Sequence, residues 1–320
     1  MKNEFSTEFK TLQYIIENSS RILLFAHSRP DGDTVGSVLA LQEYLKKLGK
    51  HIDIACFDPF PEYLAEIVPG KFNYPDNLNI NSYDSIIACD SVERGFEKIY
   101  PLLNPKQVSI IIDHHPDITL TADLRIVDSQ YSSVCEIIYK FLVSINAETN
   151  LKIANCLLLG IISDTGNLQH SNTTADVMEI ASKLIKKGAS VSKIVGSVFS
   201  NKKITTLKLW GRAFEKARIN PKNKMIVTVL TQEDIKQCEA STDDIAQIAS
   251  ILNAVPGTSF SLVLSQRDNK TIKGSLRSEQ YKGIDVSEIA HLFGGGGHKL
   301  ASGFEIKGKI VEDASGWKII

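Results

Sequence analysis

The chain has 320 residues, of which 43% are hydrophobic, and a formal net charge of −1 at pH 7. This length favours two domains, and the hydrophobic content is sufficient for ordinary globular cores. The near-neutral charge argues against a long nucleic acid as ligand, since its phosphates need a strong positive field, and favours a small anionic ligand. No signal peptide or membrane-spanning run is recognisable, so we expect a cytoplasmic protein.

The cysteines are odd in number, scattered through apolar segments and never in C-x-x-C spacing. This pattern argues against disulfides and a zinc–thiolate site and favours reduced thiols in the core. The five residues are Cys56, Cys89, Cys135, Cys156 and Cys238.

Apolar periodicity predicts helices and strands that alternate over about the first 130 residues. Helices are predicted at 5–20 and 34–48, the second of them capped by Gly49. Strands are predicted at 21–26, 51–57, 84–90, 108–112 and 124–127. The alternation indicates an α/β fold with a parallel sheet and helices on both faces, in which ligands bind beyond the carboxyl ends of strands.

The second half of the chain changes character. A helical pattern runs from 131 to about 162, and an amphipathic helix is predicted at 173–187 before Gly188. Helices then cross 190–217, followed by strands at 225–230, 260–265 and 271–278 and helices at 243–253 and 285–293. We therefore predict a first domain at 1–188, a helical linker at 189–222 and a smaller α/β domain at 223–320.

Acids and imidazoles follow the predicted strands, at positions where core packing does not call for them. They are His27, Asp31, Asp33, Asp90, Asp113, His114, His115 and Asp164. Taken singly, each is more often a turn residue or a structural residue. Together the aspartates would crowd negative charges at a single sheet edge, with nothing to offset their repulsion. The set is sufficient for two metal ions that share one bridging carboxylate.

A glycine run near the C-terminus is the second constellation. It comprises Gly294, Gly295, Gly296 and Gly297, followed by His298 and Lys299. Consecutive backbone N–H groups in such a run suit an anion, and Arg277 at a strand end could add a bidentate phosphate contact. The chain has neither G-x-x-x-x-G-K-[ST] nor a convincing G-x-G-x-x-G after a strand, which disfavours an NTPase or a dinucleotide oxidoreductase.

The order of these motifs resembles the DHH phosphoesterase family with its DHH-associated C-terminal domain, over nearly the whole chain. The length and the Ile162–Gly166 segment are most similar to its nanoRNase branch. The resemblance implies degradation of very short oligoribonucleotides and removal of the 3′-phosphate from adenosine 3′,5′-bisphosphate. It makes the first domain the metal-binding catalytic domain and the last the substrate-binding domain.

The resemblance also implies roles for the residues. Two manganese ions are expected, with magnesium or cobalt as alternatives. One ion would be held by His27, Asp31 and Asp90, and the other by Asp33, Asp90, His114 and Asp164. His115 would contact the scissile phosphate and Asp113 would orient a neighbouring imidazole. The substrate would be gripped by Arg277, Gly295, Gly296, Gly297, His298 and Lys299.

Several other functions stay open on these residues. Within the same chemistry, a linear or cyclic dinucleotide phosphodiesterase is the nearest alternative, and a RecJ-type exonuclease fits the length and charge less well. A manganese inorganic pyrophosphatase is disfavoured by the glycine–histidine motif. A non-catalytic nucleotide-binding protein would not need a bridging acid. The expected partner is short single-stranded RNA or a small nucleotide, with no membrane, and a homodimer is left open.

Overall fold

The structure, a computed structural model, describes residues 4–116, 118–200, 202–245, 247–313 and 316–320. The chain forms two compact units, Met1–Asn201 and Lys202–Ile320. The residues predicted as a helical linker are therefore divided between the two units.

The first unit is built on a sheet of five parallel strands, in the order β2-β1-β3-β4-β5. These strands are Arg21–Phe25 (β1), His51–Ala55 (β2), Ser85–Cys89 (β3), Val108–Asp113 (β4) and Leu124–Val127 (β5). All of β3 is buried, as its continuous apolar run predicts for a strand covered on both faces. The strand order changes direction between β1 and β3, which leaves a crevice at the carboxyl ends of these two strands.

The described residues of the first unit form seven α-helices. They are Ser6–Asn18 (α1), Gly32–Lys47 (α2), Glu97–Ile99 (α3), Val134–Ser144 (α4), Leu151–Asp164 (α5), Ala175–Lys186 (α6) and Val191–Val195 (α7). The larger apolar cluster joins one sheet face to α1, α2, α4, α5 and α6. A smaller cluster covers the other face with Phe96, Ile99 and side chains from loops. The predicted parallel sheet with both faces covered is confirmed.

Two glycines let α2 and α5 approach each other closely. A Cβ at Gly36 would overlap the Cys156 carbonyl oxygen, and a Cβ at Gly160 would lie 2.5 Å from Asp33 Oδ1. Side chains larger than hydrogen at these positions would push the helices apart. The contact therefore brings Asp33, near the start of α2, towards Asp164, at the end of α5.

The second unit contains a mixed sheet in the order β10-β11-β9-β8-β7-β6 and a separate two-stranded sheet, β12-β13. The strands are Arg218–Ile219 (β6), Ile226–Leu230 (β7), Ser261–Gln266 (β8), Thr271–Arg277 (β9), Gly296–His298 (β10), Ala301–Lys307 (β11), Ile310–Asp313 (β12) and Gly316–Ile319 (β13). The helices are Ile204–Glu215 (α8), Gln232–Gln237 (α9), Ile248–Asn253 (α10) and Val286–His291 (α11). The predicted smaller α/β unit is confirmed.

The prediction of one continuous helical stretch from 131 to 162 is wrong. The stretch divides into α4 and α5 because Asn146 adopts a left-handed φ of 52° after α4 ends. Asn150 then caps α5 through its side chain, which accepts a hydrogen bond from the Ile153 amide at 2.9 Å. Asparagine tolerates both roles at low cost, so a short polar break interrupts the apolar periodicity.

The segment predicted as a helix at 243–253 is also only partly helical. Residues Thr242–Ile245 form a short 3₁₀ turn, and the α-helix begins at Ile248 after Gln247, whose φ is 74°. The glycine run is partly strand, since Gly296 and Gly297 pair in β10 with β11. All five cysteines are free and buried, as predicted. Among the described residues, no helix combines the length and the apolar character needed to cross a membrane.

Candidate metal centre

His27 lies just beyond β1, at the crevice in the sheet. Its Nδ1 is 2.8 Å from the Ser28 carbonyl oxygen, which can only accept, so Nδ1 carries the proton. The lone pair of Nε2 therefore faces the carboxylates of Asp31 and Asp90, each at 3.4 Å. Asp31 caps α2 through Oδ1, which accepts from the amides of Asp33 and Thr34, and this leaves Oδ2 towards His27.

Asp33 is fully buried and is held by the start of α4. Its two carboxylate oxygens accept hydrogen bonds from the backbone amides of Val134, at 2.7 Å, and Cys135, at 2.9 Å. These amides are free to donate because they belong to the first turn of a helix. Oδ2 of Asp33 also lies 4.0 Å from His114 Nε2. The helix start therefore fixes the carboxylate without neutralising it.

Asp90 lies between the two halves of the centre. It follows β3 with a left-handed φ of 55°, and its amide donates to the Ile112 carbonyl on β4. Its Oδ2 is 3.4 Å from His27 Nε2, while its Oδ1 is 3.9 Å from His114 Nε2 and 3.3 Å from His115 Nδ1. A non-glycine residue in this conformation is strained, and such strain concentrates at functional sites.

The end of β4 supplies Asp113, which stabilises the turn that follows it, and the two imidazoles of His114 and His115. Asp113 Oδ1 accepts hydrogen bonds from the amides of His114 and His115 and, at 2.7 Å, from His115 Nδ1. His114 Nδ1 lies 3.3 Å from the Tyr131 carbonyl oxygen, which leaves its Nε2 towards Asp164 Oδ2 at 3.1 Å. Contacts of this kind fix the tautomer and orientation of metal-binding imidazoles.

Three groups of ligand-type atoms share Asp90, with atoms within 4.8 Å of one another in each group. The first group is His27, Asp31 and Asp90, and the second is Asp33, Asp90 and His114. The third group joins Asp90 to Asp113 and His115. Asp164 joins the second group through its 3.1 Å contact with His114. The structure thus brings all eight sequence-predicted residues of the first unit to one edge of the sheet.

The nitrogen and oxygen atoms in these groups are spaced for binding a shared divalent cation better than for hydrogen bonding to one another. His27 Nε2 and Asp90 Oδ1 are buried and have no hydrogen-bond partner among the residues that the structure describes. Charged hydrogen bonds are about 2.7–2.9 Å long, whereas atoms that share one ion at about 2.1 Å lie about 3–3.5 Å apart. The 3.1–3.4 Å separations around His27 and His114 match the second spacing.

The pKa shifts in the cluster indicate that its buried carboxylates repel one another. Burial and the charges of Asp164 and Asp90 raise the pKa of Asp33 well above its ordinary value. Burial and the neighbouring acids Asp31 and Asp90 likewise raise the pKa of Asp164 to about 6, against the attraction of His114. Burial alone would lower the pKa of His114, but Asp164, Asp90 and Asp33 hold it well above its usual range. Cations would relieve this repulsion, because the four ligand carboxylates and two divalent ions carry equal and opposite charge.

The second unit places Arg277 and His298 on either side of Ala301. Ala301 pairs with Arg277 of β9 and with His298 of β10. Side chains of directly paired residues project from the same sheet face, and the methyl group of Ala301 leaves space between the two longer ones. Burial lowers the pKa of the Arg277 guanidinium. No carboxylate among the described residues forms an ion pair with it.

The glycine run shapes the edge of this sheet. Gly294 and Gly297 have φ values of 72° and 132°, which other residues rarely adopt. A Cβ at Gly295 would overlap the Gly303 carbonyl oxygen and the backbone of Phe304. Lys299 is exposed, and its carbonyl oxygen accepts from the Val286 amide of α11. Close backbone approach therefore explains part of the glycine requirement without any ligand.

Residue types alone did not reveal the groups that hold the ligands in place. The amides of Val134 and Cys135 are 101 and 102 positions from Asp33 in sequence. The signal that could have found them is Ser133, whose hydroxyl caps α4 by accepting from the Glu136 amide. A capped helix start next to a buried acid is a ready source of donors.

Comparisons with known proteins agree with this architecture. Residues 21–161 match the model of the DHH family N-terminal domain, and residues 222–315 match the DHHA1 domain. An exopolyphosphatase-related protein from Bacteroides fragilis has the same fold, with a TM-score of 0.86 at 23% identity, over 93% of this chain and 90% of that one.

Two relatives share one name, bifunctional oligoribonuclease and PAP phosphatase NrnA. The Thermus thermophilus protein is 28% identical over 92% of this chain and 86% of its own length. The Bacillus subtilis protein is 28% identical over 89% of both chains. Fold and site together define a two-unit α/β hydrolase with a cluster of acids and imidazoles suited to divalent cations. The chain belongs to the DHH family of phosphoesterases.

Proposed function

We propose that this protein is a manganese-dependent phosphoesterase that hydrolyses short oligoribonucleotides and the 3′-phosphate of adenosine 3′,5′-bisphosphate. The observation that carries the proposal is the pair of ligand groups joined through Asp90. Relatives named as oligoribonuclease and PAP phosphatase, which match about nine-tenths of this chain, support the substrate class.

The first ion would be held by His27, Asp31 and Asp90, and the second by Asp33, Asp90, His114 and Asp164. When bound, two such ions neutralise the phosphoryl oxygens and acidify the attacking water. A mixed set of carboxylates and imidazoles suits manganese, with magnesium and cobalt as the other candidates. Hydrolysis breaks the phosphorus–oxygen ester bond, and the water supplies a hydroxyl group to phosphorus and a proton to the leaving oxygen.

His115 would stabilise the phosphate. Its Nδ1 donates to Asp113, and its ring is about a quarter exposed. In the imidazolium form Nε2 also carries a proton, and a hydrogen bond from it to a phosphoryl oxygen would offset the charge that develops in the transition state. In the second unit, Arg277, the Gly295–Gly297 backbone, His298 and Lys299 would bind the substrate through its phosphates.

The test is a panel of substrates assayed with manganese, with magnesium, with cobalt and with a chelator. The panel contains a dinucleotide, a pentanucleotide, an RNA of at least 20 nucleotides, adenosine 3′,5′-bisphosphate, a cyclic dinucleotide and pyrophosphate. We expect phosphate-ester hydrolysis of the short RNAs and the bisphosphate, and much slower turnover of the long RNA. Turnover of pyrophosphate alone, or none with the metal bound, would overturn the proposal.

The matched variant is Asp90→Ala. Because Asp90 joins the two ligand groups, we expect turnover to fall on the order of a thousandfold or more. The fold should survive, because Asp90 raises the pKa of Asp33 and its removal relieves repulsion between buried acids. Circular dichroism and the thermal midpoint in chelator check the second expectation. A variant that keeps its activity would show that Asp90 does not bridge.

A further inference from the structure

A run of aromatic residues between β2 and β3 has no role in the metal centre described above. We call residues 57–74 the aromatic segment. Phe60 and Phe72 pack edge to face at 5.2 Å and lie partly buried against the core. Tyr63 and Tyr74 each keep 46% of their surface exposed. Nearly half of each tyrosine is therefore accessible to a ligand.

Hydrogen bonds join the start of the aromatic segment to the loop that carries the first metal ligands. The Cys56 thiol donates to the His27 carbonyl oxygen at 3.2 Å, and Asp58 accepts from the Arg29 amide at 2.7 Å. Asp31 is the exposed member of its ligand group, with 43% of its side chain accessible. The segment therefore lies on the open side of the metal centre.

Two exposed cations belong to the same region. The Arg94 carbonyl accepts from the Ser28 amide at 2.7 Å, which ties this residue to the ligand loop. The neighbouring Gly95 touches Phe57, whose ring lies 3.1 Å from the position of a Cβ at that glycine. The Lys98 ammonium lies 5.3 Å from the centre of the Phe57 ring, and the Tyr74 ring packs on Phe57 at 5.7 Å. Phe57 therefore contacts both an exposed cation and a half-exposed ring. We call Tyr63, Tyr74, Arg94 and Lys98 the rim.

Resting on the proposed function, we propose that this rim binds one or two nucleotides adjoining the scissile phosphate. Tyr63 and Tyr74 stack on their bases, while Arg94 and Lys98 contact the flanking phosphate. Rings interleaved with cations are the features that single-stranded nucleic acids select, because every base has a stacking face and every linkage carries a charge. Two exposed rings beside the ligand loop can stack on one or two bases. This number of stacked bases would strengthen the preference for short substrates.

The test compares a dinucleotide with the same backbone lacking its bases. The quantity measured is the ratio of kcat/KM for the dinucleotide to kcat/KM for the abasic compound. Stacking on one ring changes affinity by about tenfold, so we expect Tyr63→Leu and Tyr74→Leu each to lower this ratio by about tenfold. Tyr63→Phe and Tyr74→Phe keep the aromatic face and should keep the ratio.

Tyr14→Leu is the matched control, because Tyr14 is 66% exposed on α1 and belongs to no part of the rim. We expect its ratio to equal that of the wild type. Dialysis of the dinucleotide against protein in chelator gives a second readout that is independent of turnover. The assignment would be overturned by leucine variants in which kcat/KM falls equally for the dinucleotide and the abasic compound. Leucine variants that retain the wild-type ratio and affinity would also overturn it.

The cations are tested by the salt dependence of KM. Removing one phosphate contact should lower the slope of log KM against log salt by about 0.7 for a single strand. We expect this decrease for Lys98→Gln and no change for Lys10→Gln, whose lysine is exposed on α1. An unchanged slope in Lys98→Gln would show that Lys98 does not contact a substrate phosphate. A wild type that hydrolyses no member of the panel defeats the proposed function, whereas an active wild type with an unchanged base ratio in the tyrosine variants defeats only this inference.

Discussion

Asp113 differs from the other acids of the candidate centre because one of its oxygens, Oδ1, accepts three hydrogen bonds. The donors are two backbone amides and the His115 ring. These donors hold the pKa of Asp113 below its ordinary value despite burial, which alone would raise it. Three donors on one oxygen suit the orientation of a neighbour better than the binding of a cation.

We therefore predict that Asp113→Asn lowers kcat by about 10–100-fold while the metal content stays that of the wild type. The amide oxygen can still accept from the backbone, so the turn survives, but the charge behind the His115 ring is lost. Mass spectrometry of the bound metal and steady-state kinetics measure the two effects. Loss of metal in parallel with activity would make Asp113 a ligand itself.

The contact between α2 and α5 is the element on which the second ligand group depends. Asp33 and Asp164 lie on different helices, and only glycines at the crossing let the helices meet. Neither helix length nor amphipathicity shows this requirement. The glycine positions are visible in the sequence, but their partners Cys135 and Cys156 are identified only by packing.

Gly160→Ala is predicted to destabilise the first unit by about 1–3 kcal/mol and to weaken metal binding. The added methyl group would lie 2.5 Å from Asp33 Oδ1 and 2.8 Å from Cys135 Cβ, in a fully buried position. Gly211→Ala is the control, because nothing lies within 4 Å of a Cβ on that α8 residue. Denaturant unfolding should show the control at or above wild-type stability. Equal losses in both variants would mean a helix effect and not a clash.

Helix α9 of the second unit begins at a capping box with a buried acid. The Asp234 side chain, 6% exposed, accepts from the Thr231 amide at 2.9 Å and from Lys216 Nζ at 2.6 Å. These contacts hold the pKa of Asp234 below its ordinary value, although burial opposes them. Because the folded-state pKa is lowered, the ionised Asp234 stabilises the folded protein at pH values above the unfolded pKa, about 3.9. This stabilisation is lost as the pH falls through the folded-state pKa.

Asp234→Ala should therefore lower the free energy of unfolding by about 1 kcal/mol at pH 7. The difference from the wild type should shrink as the pH falls below about 4, where the unfolded chain binds the proton first, and should be lost once the folded carboxylate is protonated as well. Urea titrations of both proteins at pH 7 and pH 3 provide the measurement. A difference that stays constant over this range would show that the charge of Asp234 contributes nothing.

For the whole molecule, we expect the candidate centre to couple metal binding to the stability of the first unit. Ions that bind the folded chain and not the unfolded one stabilise it by about 2.7 kcal/mol at a hundredfold excess over Kd. We predict that manganese added to chelator-treated protein raises the thermal midpoint of the first unit by several degrees. Differential scanning calorimetry measures this shift. In Asp33→Asn the shift should be smaller, and an equal shift there would place the metal elsewhere.

By itself, the sequence determined the alternation of strands and helices, the parallel sheet and the residue types at its carboxyl edge. Continuous apolar runs identify strands buried on both faces, and acids directly after them have no place in a core. Tertiary structure decided what depends on partners distant along the chain. The break between α4 and α5, the amides that hold Asp33 and the left-handed Asp90 are of this kind. Local composition carries no record of such contacts, because their energy arises only when the segments meet.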